Sequence, residues 1–531
     1  MNDFLNDDIS LYLKSLAFLM ETEGNQNPFR VRSFQKAADV IIDHPAPLAK
    51  MTVEELEKIP GIGKGIALVI KNYIHHGTCK EWEEITAMVP ESLLEMKDVR
   101  GLGPGRIRKL WKEGGIKSIR NLKKAAKENP ELLEKLLGKN IALKIINELD
   151  FLDKNKGKKL FFQVWPVVKD FIEKNRKRFP DLQPAGELFT RQPVIGELSF
   201  YISNSSNKNE IPFADLEKQT GIRCSITEHY INTDKGPLLG NEDFILSVKE
   251  KLNRVTDREK NKIIDFAFSV PEELRIYSLD KLINFSFSDL VEIKHLKGII
   301  HSHTTWSDGK NNIEDMAKAC QKEGWQWLVV SDHSRSAYYA NGLKEQDVLK
   351  QKEEIGKINK KFKNFRIIHG IESDILKDGS LDYPDDILKE FEVIIASVHS
   401  GLQMNEVQAT ERIIKAVENP HTHILGHLTG RLLLERRGYP VHHKKIIDAC
   451  AANGVAIELN TNPYRLDIDY EWIPFCMEKG VKLCLSPDAH SVEGLQDIHY
   501  GITVARKGFM AKGVCLNLLS AEEFLNCIRK I

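Results

Sequence analysis

The chain of 531 residues is 42% hydrophobic and 29% charged, and its 76 Lys and Arg balance its 76 Asp and Glu. That length supports three or more domains with cores of their own, and the neutral balance excludes a uniformly basic nucleic-acid coat or an acidic tail. Eight scattered cysteines without a CxxC pair exclude a disulfide framework and a zinc ribbon, and point to reduced thiols in a cytoplasmic protein. The first ten residues, MNDFLNDDIS, hold no apolar signal core. No apolar run approaches the ~20 residues of a membrane span, so no membrane partner is expected.

Residues 1–150 read as an all-α domain of short helices joined by glycine hairpins. Two hairpins have the form apolar-Gly-apolar-Gly ahead of a helix. One is IPGIGKGIA (59–67), with Gly61, Gly63, Lys64 and Gly65; the other is VRGLGPGRI (99–107), with Gly101, Gly103, Gly105 and Arg106. Glycines at this spacing permit a tight turn whose N–H groups face outward at a helix N-terminus, a site suited to one backbone phosphate. Such contacts hold a duplex without reading its sequence. From Lys97 to Lys127 eleven Lys or Arg, among them Arg106, Arg108 and Lys109, stand against Asp98 and Glu113 alone. A single hairpin also fits an ordinary helix turn. Two of them, forty residues apart and beside a basic stretch, favour DNA binding over a purely structural helical domain. His75 and His76 end a helix, where a partly charged imidazole complements the dipole.

The segment NPFRVRSFQKAADVI (27–41), followed by these two helix-hairpin-helix motifs, resembles the N-terminal part of bacterial family X DNA polymerases. The resemblance implies a domain that grips the ends of gaps in DNA. Some members carry a lyase lysine in the helix after the first hairpin; the aligned position here is Val69, so Schiff-base chemistry is not expected. In residues 151–290, AGELFTRQPVIGELSFYI (185–202) aligns with the family's nucleotidyltransferase signature, a Gly-Ser turn with paired arginines before a strand bearing Asp-x-Asp. Alternate strand residues face one way, so Asp-x-Asp offers two carboxylates to a pair of magnesium ions. Here the serine is Glu187, the first arginine is Thr190, and the two aspartates are Glu197 and Ser199. A third carboxylate position falls near Ser225. This reads as a shortened, degenerate α+β palm without polymerase activity.

Residues 291–531 carry the chemistry, with thirteen of the 17 histidines at or after His295. Seven strand-like runs, around 297–303, 326–332, 366–372, 391–399, 422–427, 455–460 and 481–488, alternate with helical stretches. Six end in a potential ligand: HSHTTWSDG (301–309), SDH (331–333), HGIE (369–372), SVH (397–399), GH (426–427) and PDAH (487–490). A parallel α/β barrel delivers side chains to a site in this way, at the C-terminal ends of its strands. Imidazoles and carboxylates are costly to bury there unless paired or metal-bound. Histidine with carboxylate suits zinc, manganese or iron rather than calcium.

DFAFSVPEELRI (265–276) resembles the family's linker into its C-terminal polymerase-and-histidinol-phosphatase (PHP) domain, a distorted seven-stranded relative of the TIM barrel. The resemblance implies nine ligands for two to three divalent ions: His301, His303, Asp308, His333, Glu372, His399, His427, Asp488 and His490. Glu458 and Asn460 are expected to orient ligands. Metal-assisted phosphoester hydrolysis follows, with Asp308, Asp332, His333 or another site histidine moving protons. Arg431, in GHLTGRLLLERR, is read either as a phosphate-binding residue or as half of a structural ion pair, and Arg465 as a weaker candidate of the same kind. Trp306 and the pair Tyr338 and Tyr339 are read as a base-stacking surface or a hydrophobic lid. His369 is expected in the core. His421 and His423 are expected at the surface or in packing, and His442 and His443 at a helix start.

The barrel alone does not separate phosphomonoester from phosphodiester. Its fusion to phosphate-holding hairpins favours a monomeric, DNA-binding 3′→5′ exonuclease or 3′-end-processing enzyme of DNA repair, acting on gapped or 3′-ended DNA without sequence preference. The alternatives are a phosphomonoesterase on a small metabolite and a non-enzymatic repair scaffold.

Overall fold

The computed structural model of the chain describes residues 6–42, 44, 46–203 and 209–528. The first five and last three residues, assigned above to the outer domains, lie outside these. Two compact units divide after Lys156.

The first unit is helical: α1 (Asn6–Glu23), α2 (Pro28–Ile42), α3 (Val53–Glu57), α4 (Lys64–His76), α5 (Lys80–Met88), α6 (Pro104–Gly114), α7 (Ile119–Glu128), α8 (Pro130–Leu137) and α9 (Lys139–Asn155). Local signals set its helix ends. Thr52 and Glu55 form a capping box on α3, Ser118 caps α7, and Asn129 caps α8 with Pro130 in its first turn. Gly77 and Gly115 close α4 and α6 in the left-handed conformation. Leu13, Leu16, Ala38, Ile41, Ala67, Ile70, Ile107 and Leu110 lie in one shared core. The boundary drawn at 150/151 falls inside α9, whose Leu149 is buried in this core, so the first unit runs on to Lys156.

The second unit begins with the small palm-like part. β1 (Lys159–Leu160) pairs with β3 (Val194–Ile195), and β2 (Gln183–Pro184), β4 (Leu198–Tyr201) and β5 (Cys224–Ile226) form a sheet in the order β2-β4-β5. β6 (Tyr230–Thr233) and β7 (Gly236–Leu239) make a hairpin. The helix Phe161–Asn175 lays Val164, Val168 and Phe171 on Leu198 and Phe200. Residues 157–290 do not stand apart from the barrel: Lys507, fully buried, donates from Nζ to the carbonyl of Arg191 (2.8 Å), and Arg506 pairs with Glu273.

The barrel follows. β8 (Gly298–Ser302), β9 (Trp327–Val330), β10 (Arg366–Asp374), β11 (Val393–Ser397), β12 (Ile424–Leu425), β13 (Ala456–Asn460) and β14 (Leu483–Ser486) lie parallel and side by side in chain order. A bridge between Ser302 and Ala489, just past β14, closes the ring. Strand alternation sends Ile299, Leu328 and Ile371 outward to the helices, and Ile300, Trp327, Val329, Ile368 and Ile395 inward. The C-terminal helix Ala521–Ile528 plugs the N-terminal end of the barrel, where Phe524 stacks on Trp327 at 4.6 Å. The opposite end is left to polar groups.

Candidate metal centre and phosphate hairpins

The strand ends converge on Glu372. Its Oε1 lies 3.2 Å from His301 Nε2, 3.2 Å from His399 Nε2 and 3.0 Å from His427 Nε2, and its Oε2 lies 2.9 Å from His333 Nδ1 and 3.7 Å from His303 Nε2. Asp488 Oδ1 stands 3.1 Å from His303 Nε2, and Asp308 Oδ1 stands 3.4 Å from His490 Nε2. All nine implied ligands are therefore neighbours. Donor atoms of eight of them form three groups: His303, Asp308, His333 and His490; His301, His303 and Asp488; and His333, Glu372 and His399. His427 belongs to none of the three and meets the set through Glu372. Most are buried, while Asp308 and His490 form a half-open rim.

His301 (φ 68°) and Asp488 (φ 53°) both take the left-handed backbone conformation at the seam where first and last strands meet. Held there by Ala489, whose carbonyl accepts from His303 N (2.8 Å), they mark local strain at the site, on the order of 1–3 kcal/mol each.

Electrostatics follow from this crowding. Burial alone would neutralise Glu372, but His399, His301 and His333 outweigh it and hold the carboxyl well below its usual range; His301 and His303 do the same for Asp488. Burial likewise opposes charge on the histidines. Glu458, Glu372 and Asp488 nonetheless raise His301, Glu372 and Asp374 raise His399 to about 10, and Asp308 and Asp488 raise His490 to about 9. His303, pressed by burial and then by His333 and His490, falls to about 3.

Partners behind the ligands fix their rings. Glu458 Oε2 accepts from His301 Nδ1 at 2.6 Å and its Oε1 accepts from His427 N at 3.0 Å, while Asn460 Nδ2 donates to Glu458 and Asp488. Asp374 holds His399 Nδ1 at 2.5 Å and is absent from the sequence reading. It follows Glu372 by two residues on β10, and that spacing on one strand face was the available signal.

Two candidates are held by protein partners. Asp332 accepts from Thr304 N, Thr304 Oγ1, Ser307 Oγ and Gln351 Nε2. With these four donors on its carboxylate, it ties down the loop after β8, while burial raises its pKa. Arg431 donates to the carbonyls of Arg465 and Leu466 and to Asp469 Oδ2 (2.7 Å), the ion-pair half of its two readings. Arg465 faces the site instead, with Nε 3.5 Å from Asp488 Oδ2.

Among the aromatics, Trp306 is tied through Nε1 to Glu354 (2.9 Å) and packs on the core, whereas Tyr338 and Tyr339 are exposed. His369 is buried against Phe391. His423 accepts from Ile394 N, His421 reaches toward Asp385, His442 accepts from Lys445 N as a helix cap, and His443 stacks on Trp472.

In the first unit both hairpins turn on a glycine of positive φ, Gly61 (101°) and Gly101 (90°), and anchor Ile62 and Leu102 in the core. Gly63 and Gly103 cap α4 and α6 without a side-chain acceptor, so the N–H groups of Lys64 and Gly65, and that of Gly105 after Pro104, which has none, stay open. A Cβ at Gly63, Gly65, Gly103 or Gly105 would meet nothing within 4 Å, which leaves the backbone bare to an approaching phosphate. Lys64 and Lys109 are exposed; Arg106 braces the Gly101 carbonyl at 2.6 Å, and Arg108 folds against Gly24. Val69 is buried.

In the palm, Glu187 Oε2 accepts from Gly196 N (2.6 Å) and Glu197 N (3.3 Å), so a carboxylate occupies backbone donors at the start of β4. Ser199 and Ser225 face one another across β4 and β5, their hydroxyls 3.4 Å apart. Among the described residues no helix is long and apolar enough to cross a membrane.

Residues 5–79 match the helix-hairpin-helix domain family, residues 93–150 the SAM-like helix-hairpin-helix tandem, and residues 300–462 the PHP domain. A histidinol phosphate phosphatase from Lactococcus lactis, complexed with zinc, L-histidinol and phosphate, overlays 40% of this chain and 93% of its own at 18% identity and a TM-score of 0.32. A probable phosphatase of Caldicellulosiruptor bescii is 26% identical over 36% of this chain and 78% of its own length. The DNA polymerase/3′-5′ exonuclease PolX of Bacillus subtilis is 32% identical over 97% of this chain and 98% of its own. Likeness of that extent, along nearly the whole of both chains, makes this chain a member of the bacterial family X DNA polymerases that carry a PHP domain.

Proposed function

We propose that the chain is a metal-dependent phosphoesterase acting on DNA, a 3′→5′ exonuclease or 3′-end-processing enzyme of repair that has lost synthesis. The helical first part holds gapped or 3′-ended DNA, residues 151–290 are a vestigial palm, and residues 291–531 hydrolyse. The observation that carries this reading is the convergence of nine ligand-type side chains in a chain that also presents two bare N–H hairpins. The Bacillus relative is named for both polymerase and exonuclease. Here two of the palm's three carboxylate positions are hydroxyls, Ser199 and Ser225, which cannot supply charge to hard divalent ions.

The donor set fits divalent cations. His301 Nε2, His303 Nδ1, His333 Nδ1 and Glu372 Oε2 are buried without a hydrogen-bond partner among the described residues. The three groups suit two to three ions of manganese, zinc or iron. Such ions, when bound, supply Lewis-acid polarisation of the phosphate and an activated water near neutral pH. The chain's own residues do the rest. Glu458 and Asp374 fix the tautomers of His301 and His399. Arg465 offers its guanidinium to the phosphate, and Asp308 and His490 on the open rim are placed to exchange protons with solvent. Free thiols suit a cytoplasmic setting.

The test separates binding from hydrolysis. Glu372→Gln, close in shape, is expected to abolish cleavage of a gapped duplex while leaving its affinity within about twofold of wild type. An equal fall in affinity contradicts the division of labour. Turnover of small phosphomonoesters that DNA does not inhibit would instead favour a metabolite phosphatase.

A further inference from the structure

Two tyrosines at the mouth of the barrel take no part in the chemistry described so far. Tyr338 and Tyr339 occupy a single 3₁₀ turn after β9 and are 87% and 70% exposed. Exposed rings are common on protein surfaces, but these are held on a rigid base. Beneath them Ala337 and Ala340 are fully buried, Leu343 N donates to the His333 carbonyl (2.8 Å), and Asn341 turns the chain at φ 54°. A Cβ at Gly342 would lie 1.9 Å from the Ser334 carbonyl oxygen, so the turn is pressed onto the strand end. The backbone is fixed and the rings are free.

The turn also points toward the site. Tyr339's ring centroid lies 6.2 Å from that of His333. Partial burial first, and then Asp374, Glu372 and Asp308, disfavour ionisation of its hydroxyl, while Arg465 acts in the opposite sense. The Tyr339 ring thus lies beside a ligand histidine while most of its surface stays open. Among the described residues no hydrogen bond ties either tyrosine's hydroxyl. Trp306, by contrast, is held by Glu354, and Tyr464 packs edge-on against Phe162 at 4.9 Å.

We propose that Tyr339, flanked by Tyr338, is the stacking platform for the 3′-terminal nucleobase. A base offers its face to an aromatic ring whatever its identity, which agrees with hairpins that read no sequence. In a duplex that face is already stacked and its edge paired, so a paired terminus must first be pulled apart. An unpaired end avoids that cost. The proposal rests on the reading of the barrel as a DNA phosphoesterase.

The test compares wild type, Tyr339→Ala and Tyr339→Phe with manganese on three substrates: a single-stranded oligonucleotide, the same oligonucleotide with an abasic 3′ terminus, and a blunt duplex. Wild type is expected to favour the single strand over the blunt duplex, and to show a KM for the abasic end roughly five- to a hundredfold above that for the normal end. Tyr339→Ala is expected to raise KM for the normal end until that ratio approaches one, and Tyr339→Phe to restore it. A merely structural role would raise both KM values by one factor and leave the ratio intact, and that result overturns the proposal. So does a wild-type preference for the blunt duplex. Cleavage of a small phosphate ester with no cleavage of any DNA overturns the DNA reading itself, and this proposal with it.

Discussion

Arg431 donates from Nε to the carbonyl oxygen of Arg465 across 2.9 Å, so one arginine clamps the loop that presents the other to the ligand set. The two should therefore fail differently. Arg465→Ala is expected to lower kcat/KM on DNA by about ten- to a hundredfold with little change in Tm, if the proposed phosphate contact is its role. Arg431→Ala is expected to destabilise by about 2 kcal/mol, because Asp469 and two carbonyls lose a charged donor. The double variant should lose less activity than the product of the single losses, as residues acting through one another do. Full activity in Arg465→Ala would return the phosphate role to another residue.

Asp374 acts through His399. Asp374→Ala removes the acceptor that fixes the ring and raises its basicity, and is expected to weaken manganese binding by about ten- to a hundredfold. Titration of the metal-free protein reads this directly, and unchanged affinity would make Asp374 a packing residue.

Metal affinity should rise with pH. His399 at about 10 and His490 at about 9 hold protons at neutral pH in the metal-free protein, and ligation requires the coordinating nitrogen to be free. Binding therefore releases protons, measurable by calorimetry in buffers of different ionisation enthalpy. Affinity that is flat between about pH 6 and 8 would contradict these shifts.

Stability should fall on the acid side through His369. Burial holds its folded pKa down to about 4, so below the unfolded value the unfolded chain takes up a proton that the folded one refuses. Between about pH 6.5 and 4 this group's contribution is lost progressively as pH falls, amounting to roughly 3 kcal/mol. Replacing His369 by Leu should flatten that limb of the denaturation midpoint against pH.

Much of the site is legible in the sequence because imidazoles and carboxylates at the ends of apolar runs have few other reasons to be there. The seven strands and the two hairpins follow from the same patterning, with Gly61 and Gly101 at backbone angles that favour glycine. What stays hidden is set by tertiary contacts. Nothing local tells that Asp332 accepts from Gln351, nineteen residues away. Proximity of Arg431 to His427 in the chain says nothing of where its guanidinium points, which Asp469 and the carbonyls of the loop decide. The boundary at 150 divides a helix because α9 keeps its apolar period past that point, from Leu149 to Leu152 on the core side.

The most direct measurement follows a 5′-labelled gapped duplex with manganese, with and without the four deoxynucleoside triphosphates, for wild type and His333→Ala. Stepwise shortening from the 3′ end that needs His333, with no extension when triphosphates are present, is the predicted result. Extension of the primer, or shortening that persists in His333→Ala, would contradict it.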